Sequence, residues 1–369
     1  MSLTTIFILA ILLLGFLITF QIAKASEYVG ILKGEKKTLE QNNRINAFLM
    51  MLFLVGGLIG VYWCHELFKG KILGEAASDH GLKIDKMLHL TVYITGAVFV
   101  ITQVLLFWFA FKYQYSEKRK VYYLPHNNTL ELIWTVVPAI FLTVLVGYGL
   151  FYWFKITGDP PKDALVVEVT GKQFNWIYRY PGKDDVFGRK YYKNVSDKDD
   201  NALGLIWEDV PALNLKTDIA AQDDIVTDKL VLIKNKPVKL VIGSRDVIHD
   251  VGLVHFRMKM DAVPGTPTTM WFTPLYTTKE MKLKTNNPDF VYEISCDQMC
   301  GKGHYSMKGQ MEVVTQEEFD VWMLTQKPKY QTAVLDKNKA NGKPAGAAAD
   351  STAKTAAAGI APNTVAVKK

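Results

Sequence analysis

Cysteine is nearly absent from this chain of 369 residues: Cys64, Cys296 and Cys300 are all there is, too few for a disulfide-stapled scaffold. No Cys-x-x-Cys-His occurs, so the chain encodes no covalently attached haem c. Internal repeats are also missing. The formal net charge is +7, but the basic residues are scattered and form no aromatic-interleaved patch, which excludes nucleic acid as a partner. The most informative absence is local. Asp, Glu, Lys and Arg are missing from Leu3 to Ala23, Ala47 to Cys64, Leu90 to Phe111 and Leu132 to Phe154, runs of 21, 18, 22 and 23 residues. Each is about long enough to cross a hydrocarbon core of roughly 30 Å. A wholly soluble enzyme is thereby excluded, and the lipid bilayer becomes a partner.

Beyond Phe154 the character changes. Gly158, Asp159, Pro160 and Pro161 end a helix and begin a surface connection. From there to about Thr325 the chain reads as short Val- and Ile-rich runs bounded by Pro, Gly or Asn. Ala164 to Thr170, Lys229 to Lys234, Val238 to Gly243, Phe290 to Ser295 and Gln310 to Thr315 are predicted strands. Together they predict one β-sandwich carried on a membrane anchor. After Leu335 large apolar residues all but vanish, so residues 327–369 are predicted to be a disordered Ala/Lys/Pro-rich tail, unable to bury enough surface to offset chain entropy.

Lys24, Lys33, Lys36, Lys37 and Arg44 in one connection, and Lys112, Lys118, Arg119 and Lys120 in another, place both on the inner side. Four spans then put the β domain outside. Lys69, Lys71, Lys83 and Lys86 on the intervening connection run against that bias. Ala23-Lys24-Ala25 before Ser26 resembles a signal-peptide cleavage site, yet no Lys or Arg precedes the apolar run, so the first span is expected to be retained.

Chemistry concentrates in Cys296-Asp-Gln-Met-Cys300-Gly-Lys-Gly-His304-Tyr-Ser-Met307, with His249 upstream at the end of another predicted strand. Soft sulfur and nitrogen donors favour copper over magnesium or calcium, and one Cys with two His and a Met would describe a mononuclear blue copper site. The second Cys alters that count. Two thiolates four residues apart can bridge two coppers, with His249 and His304 each terminating one metal, Met307 a weak ligand on one side and a backbone carbonyl on the other. Zinc is the common alternative for Cys and His, but this is no finger spacing and Met is not a zinc ligand. A redox disulfide would favour Cys-x-x-Cys.

These residues carry a family resemblance. The chain resembles subunit II of haem-copper cytochrome c oxidase, whose dinuclear CuA motif has two Cys four apart followed by His and Met at these offsets. The similarity runs from about Leu130 to Thr315. It includes Glu131-Leu-Ile-Trp134-Thr-Val-Val-Pro138, Gly171-Lys-Gln-Phe174-Asn-Trp176-Ile-Tyr178, Ser244 to His249, and Lys259-Met-Asp261-Ala-Val-Pro264-Gly265. The resemblance implies an α+β membrane protein: transmembrane helices, four in number, followed by a cupredoxin-like Greek-key β-sandwich and the disordered tail. Residues 1–64 would be two extra amino-terminal spans, 88–155 the anchor pair, and 159–325 the CuA domain.

It further implies that cytochrome c, or a cytochrome c domain, delivers electrons to the copper pair, which passes them to haem held only in subunit I. There oxygen becomes water and protons are pumped. The Gln298 main-chain carbonyl would bind one copper. Gln298 stands where mitochondrial forms have Glu, a carboxylate that also helps bind magnesium, so magnesium is not expected. Phe174 occupies the place of an aromatic, commonly Trp, that receives electrons, and Trp176 and Tyr178 follow it along a predicted strand, where core packing is the plain alternative. Glu131 resembles the carboxylate at the mouth of a proton path, although a Glu in a first helical turn is also favoured by the helix dipole.

His65, His80, His89 and His126 are expected to cap or snorkel at span ends, His255 is unassigned, and Cys64 is a packing residue. Between Asp184 and Asp228 stand 11 acids against 5 bases, either a solvated insertion or a face that steers a basic cytochrome c. The competing functions are a CuA subunit of a haem-copper nitric oxide reductase and a membrane-tethered copper chaperone; a quinol oxidase subunit would lack the copper ligands. The extra spans and the tail point to a bacterial inner (plasma) membrane, with the copper domain on the periplasmic side.

Overall fold

A computed structural model describes residues 3–71, 73–116, 118–120 and 122–340. Four long helices come first: α1 (Leu3–Lys33), α2 (Glu35–Phe68), α3 (Asp79–Lys112) and α4 (Asn128–Ile156). All four are long and apolar enough to cross a membrane. No residue of α4 is buried by protein, so its Leu132, Trp134, Phe141 and Phe151 face outward, as a lipid-exposed helix requires. Asn127 caps α4 by accepting the Leu130 N–H at 3.0 Å. Pro138 lies within α4, a position that membrane helices tolerate. The expected loop over 24–46 is instead the meeting of two helix ends at Gly34, whose φ of 86° an L side chain rarely adopts.

The outer domain is a sandwich of two five-stranded sheets. One contains β1 (Leu165–Lys172), β2 (Asn175–Tyr180), β3 (Ile225–Thr227), β5 (Val238–Ser244) and β8 (Thr268–Phe272), in the order β3-β2-β1-β5-β8. The other contains β4 (Lys229–Ile233), β6 (His249–Leu253), β7 (Met258–Ala262), β9 (Tyr292–Cys296) and β10 (Lys308–Val314), in the order β4-β10-β9-β6-β7. β1 pairs in parallel with β5, and β4 with β10. Alternating side chains such as Val167, Val169, Leu240 and Ile242 from one sheet meet Leu230, Leu232, Val251, Ile294 and Val313 from the other in a single core. Each such side chain, fully buried, stabilises the fold by about 1.5–3 kcal/mol.

The outer domain is tied to α3 and α4. Ser78 caps α3 by accepting the Gly81 N–H at 2.8 Å and donates to the Phe256 carbonyl at 2.7 Å. Arg257 reaches Asp85 of α3 through two nitrogens at 2.9 and 3.0 Å. Trp271 donates to the Gly158 carbonyl at 2.8 Å, and its ring meets that of His80 with centroids 4.3 Å apart. His80 is therefore not a snorkelling residue but a fully buried one. His255 packs on Phe290 and Tyr292.

The chain stays ordered beyond residue 327, where the tail was expected to begin. A helical segment runs on through Asp336–Ala340, because Tyr330, Ala333 and Val334, spaced i, i+3, i+4, form an apolar stripe against a small cluster holding Leu205 and Trp207. Residues 341–369, the rest of that expected tail, lie outside the described residues.

One charge cluster sits within the fold. Arg179 is 2% exposed. It meets Glu168 at 2.6 Å, Asp224 at 2.8 Å and the Gly188 carbonyl at 2.7 Å. Because removing one partner strands buried charge, Arg179→Met is expected to destabilise the outer domain by about 3–5 kcal/mol in denaturant unfolding of the detergent-solubilised chain. Burial pushes the Asp224 carboxyl up from 3.8 to about 6, against the pull of Arg179 and the Gly188 N–H. An acid that binds its proton more tightly when folded loses stabilising power as pH rises through its folded value. Asp224→Asn should therefore flatten the decline in stability between about pH 4 and pH 6.

Candidate metal centre

One crossing between the sheets and one hairpin connection within the second sheet build the centre. The connection from β5 to β6 carries Ser244 to His249, and the connection from β9 to β10 carries Cys296 to Met307. Val251 of β6 pairs with Cys296 of β9, which brings His249 and Cys296, 47 residues apart, to one end of the sandwich. His249 opens β6 rather than ending a strand as expected: the chain turns at Ser244, whose hydroxyl bonds the Val247 carbonyl, and resumes extended pairing at His249.

There the Cys296 and Cys300 sulfurs stand 3.8 Å apart. His249 Nδ1 is 3.8 Å from Cys296 Sγ, and His304 Nδ1 is 3.7 Å from Cys300 Sγ. Met307 Sδ lies 3.7 Å from Cys300 Sγ, while the Gln298 carbonyl oxygen lies 3.2 Å from Cys296 Sγ. Each sulfur thus has one imidazole and one weaker donor beside it. His249, Cys296, Cys300 and Met307 are all buried, and His304 is partly exposed.

The orientation of His249 follows from Asp246. Its Oδ1 lies 2.8 Å from His249 Nε2 and accepts the Val247 N–H at 2.8 Å, while Oδ2 accepts the Gln173 N–H at 2.8 Å. Burial raises the Asp246 carboxyl, but these hydrogen bonds from Gln173, His249 and Val247 outweigh it and hold the group below its ordinary value. An ionised Asp246 accepts only, so Nε2 carries the ring proton and Nδ1 presents its lone pair toward Cys296. Burial, then the neighbouring Cys296 thiol, push the Cys300 thiol up to about 11. A thiol so raised, facing a second sulfur away from water, is ionised only against a cation. The donor set therefore fits a soft metal.

The turn between β1 and β2 closes the centre from the other sheet. Gly171 has to be glycine, since a Cβ there would lie 2.7 Å from His249 Cδ2. Phe174 lies in this turn, not within the strand predicted for it, and is 38% exposed. It covers the Cys loop so closely that a Cβ on Gly303 would stand 2.5 Å from its ring. Trp176, on β2 proper, is buried with its ring 5.9 Å from that of His249. Tyr178 is buried on the same face. Glu131 is remote, exposed in the first turn of α4. With about 1.5 Å of rise per residue, it lies roughly 40 Å down the helix from the end that meets Trp271. Sequence reasoning assigned no role to Asp246, Gln173 or Gly171, although all three lie inside the quoted motifs.

Comparisons with known proteins agree in direction. The family profile "Cytochrome C oxidase subunit II, transmembrane domain" matches residues 66–151, and "Cytochrome C oxidase subunit II, periplasmic domain" matches residues 165–314. The alternative cytochrome c oxidase subunit 2 of Bradyrhizobium diazoefficiens is 30% identical over 283 residues, covering 76% of this chain and 91% of that relative. The probable cytochrome c oxidase subunit 2 of Rickettsia bellii is 28% identical, over 65% of this chain and 78% of the relative. Among solved structures, the periplasmic domain of subunit II of cytochrome oxidase from Bradyrhizobium japonicum is 27% identical, with a TM-score of 0.30, over 46% of this chain and 98% of that one. With four membrane-spanning helices and an outer β domain, the chain belongs to the cytochrome c oxidase subunit II family.

Proposed function

We propose that this chain is the electron-receiving subunit of a respiratory terminal oxidase, holding a dinuclear copper centre that takes electrons from cytochrome c and passes them to haem in subunit I. The carrying observation is the pair of buried sulfurs 3.8 Å apart, each flanked by one imidazole nitrogen and one weak donor. Cys296, Cys300, His249, His304, Met307 and the Gln298 carbonyl would hold the copper pair. Such a copper pair supplies one-electron chemistry with the charge shared across two thiolates. Four of the six donors, His249, Cys296, Cys300 and Met307, are buried, and the set would leave a bound copper pair no open position, which favours electron transfer over a chaperone that must release its metal.

The chain's own residues divide the remaining work. Asp246 orients His249. Phe174, partly exposed over the Cys loop, is placed to receive electrons from outside, with Trp176 behind it against His249. Glu131, at the end of α4 far from the outer domain, would stand at the mouth of a proton path on the inner side. The outer domain then faces the periplasm of a bacterial plasma membrane, and residues 1–64 are spans added to the usual anchor pair at 88–155.

Metal analysis of the purified chain is expected to find two coppers, and electron paramagnetic resonance a seven-line hyperfine pattern; zinc, or a four-line pattern, would refute the centre. Gly171→Ala should lower the copper retained per chain by displacing the His249 ring, measured by the same metal analysis. In the assembled oxidase, Phe174→Ala with full copper is expected to slow cytochrome c oxidation, and unchanged kinetics would remove Phe174 from the route. Glu131→Gln should slow oxygen consumption several-fold while leaving the copper spectrum unaltered.

A further inference from the structure

We propose that Gln173 is a positioning residue for the copper pair, holding the Cys300 half of the centre through a hydrogen bond from its side-chain amide to the Cys300 carbonyl. This deepens the copper reading above and rests on it. The residue is placed for the task. Its Nε2 donates to the Cys300 carbonyl at 2.6 Å, while its backbone N–H donates to Asp246 Oδ2 at 2.8 Å. One residue of the β1–β2 turn thus touches both ligand-bearing segments: His249 through Asp246, and the Cys loop directly.

The two ends of the centre differ in what else restrains them. His249 is fully buried, opens a strand paired with β7 and β9, and is oriented by Asp246. Cys296 ends β9 and is likewise in the ladder. Cys300 lies in the loop between β9 and β10, where Gly301, with φ of 129°, and Gly303 allow a wide range of backbone conformations. The loop is tied locally by the His304 N–H to Gly301 carbonyl, Ser306 N–H to Gly303 carbonyl and Met307 N–H to His304 carbonyl bonds, each at 3.1 Å, and to the strands by the Cys296 N–H to Met307 carbonyl bond at 3.1 Å and the Asp297 N–H to Asp250 carbonyl bond at 3.2 Å. The Gln173 amide supplies a bond from outside the loop to Cys300 itself. Without it, Cys300 loses its direct tie to the turn that also holds Asp246, while Met307 keeps its backbone bond to Cys296, and two equivalent metal environments need both halves held.

The test uses the full chain. Gln173→Met keeps the length of the side chain without a donor; Gln173→Glu keeps the shape with acceptor facing acceptor. Both retain the backbone bond to Asp246, so the His249 half is an internal control. In the reduced, copper-free chain at fixed pH, alkylation followed by mass spectrometry should modify Cys300 roughly fivefold faster in either variant, the factor expected for one hydrogen bond, with Cys296 unchanged. After copper loading, the seven-line pattern should give way to one from two unequal coppers. Wild-type alkylation rates in both variants, together with an unaltered spectrum, would overturn the proposal. A wild-type chain without paired copper would instead overturn the copper reading, and the alkylation rates would still decide the role of Gln173. Should Gln173→Met fail to accumulate, Gln173→Glu carries the test.

Discussion

An imidazole has two nitrogens and, when neutral, one proton, and the centre depends on where His249 keeps that proton. Asp246 takes the Nε2 side at 2.8 Å, leaving Nδ1 free toward Cys296. The carboxylate does this because it is itself held by the amides of Val247 and Gln173, one from its own turn and one from the facing sheet. A hydrogen-bonded carboxylate behind a ligating histidine fixes the tautomer and raises the basicity of the ligand. The same chain of bonds explains why the turn from Gly171 to Asn175 belongs to the centre although it supplies no metal donor.

Location on the sandwich follows from connectivity. The chain passes repeatedly between the two sheets, and loops at one end converge from segments distant in sequence. The other requirement is a fixed relation between this domain and the bilayer. Arg257 with Asp85, Ser78 with Phe256 and Trp271 with Gly158 provide it. These contacts are mostly buried or part-buried, so they hold their geometry better than exposed ion pairs would. A domain hung on a flexible linker could not keep a constant position over the membrane helices.

Much of this was legible in the sequence, for physical reasons that vary by element. The four uncharged runs could only be spans, because charge is costly in hydrocarbon. The strands β1, β4, β5, β9 and β10 announced themselves through Val and Ile. β6 and β7 did not, since His249-Asp-Val-Gly-Leu253 and Met258-Lys-Met-Asp-Ala262 mix charge and glycine into strands whose pairing is set by neighbours rather than by propensity. The sulfur and imidazole donors that gather at the candidate centre were readable from spacing and donor type. Gln173 and Asp246 were not, because a hydrogen bond between residues 73 apart leaves no periodic trace. Tyr330, Ala333 and Val334 were missed for a related reason: three modest apolar residues in a polar context become a helix only where Trp207 waits to cover them.

The acidic stretch between Asp184 and Asp228 shows how folding can consume a charge pattern. Asp197 is tied to Arg245 and Lys172, Asp200 to Lys329, and Asp224 to Arg179, four cations drawn from outside the stretch. Its excess of six acids falls to three once these and Glu168, which shares Arg179 and Lys190, are counted. Asp209 and Asp218 are paired within it, to Lys216 and Arg189. A field that steers a distant partner arises from net charge over a face, not from the number of carboxylates. Here three of the eleven tie the insertion to the sandwich and the C-terminal segment, with Asp197 bonded to Arg245, the residue next to Asp246. The stretch therefore reads first as structure around the centre, and any electrostatic guidance of a basic donor has to come from the small charge left over.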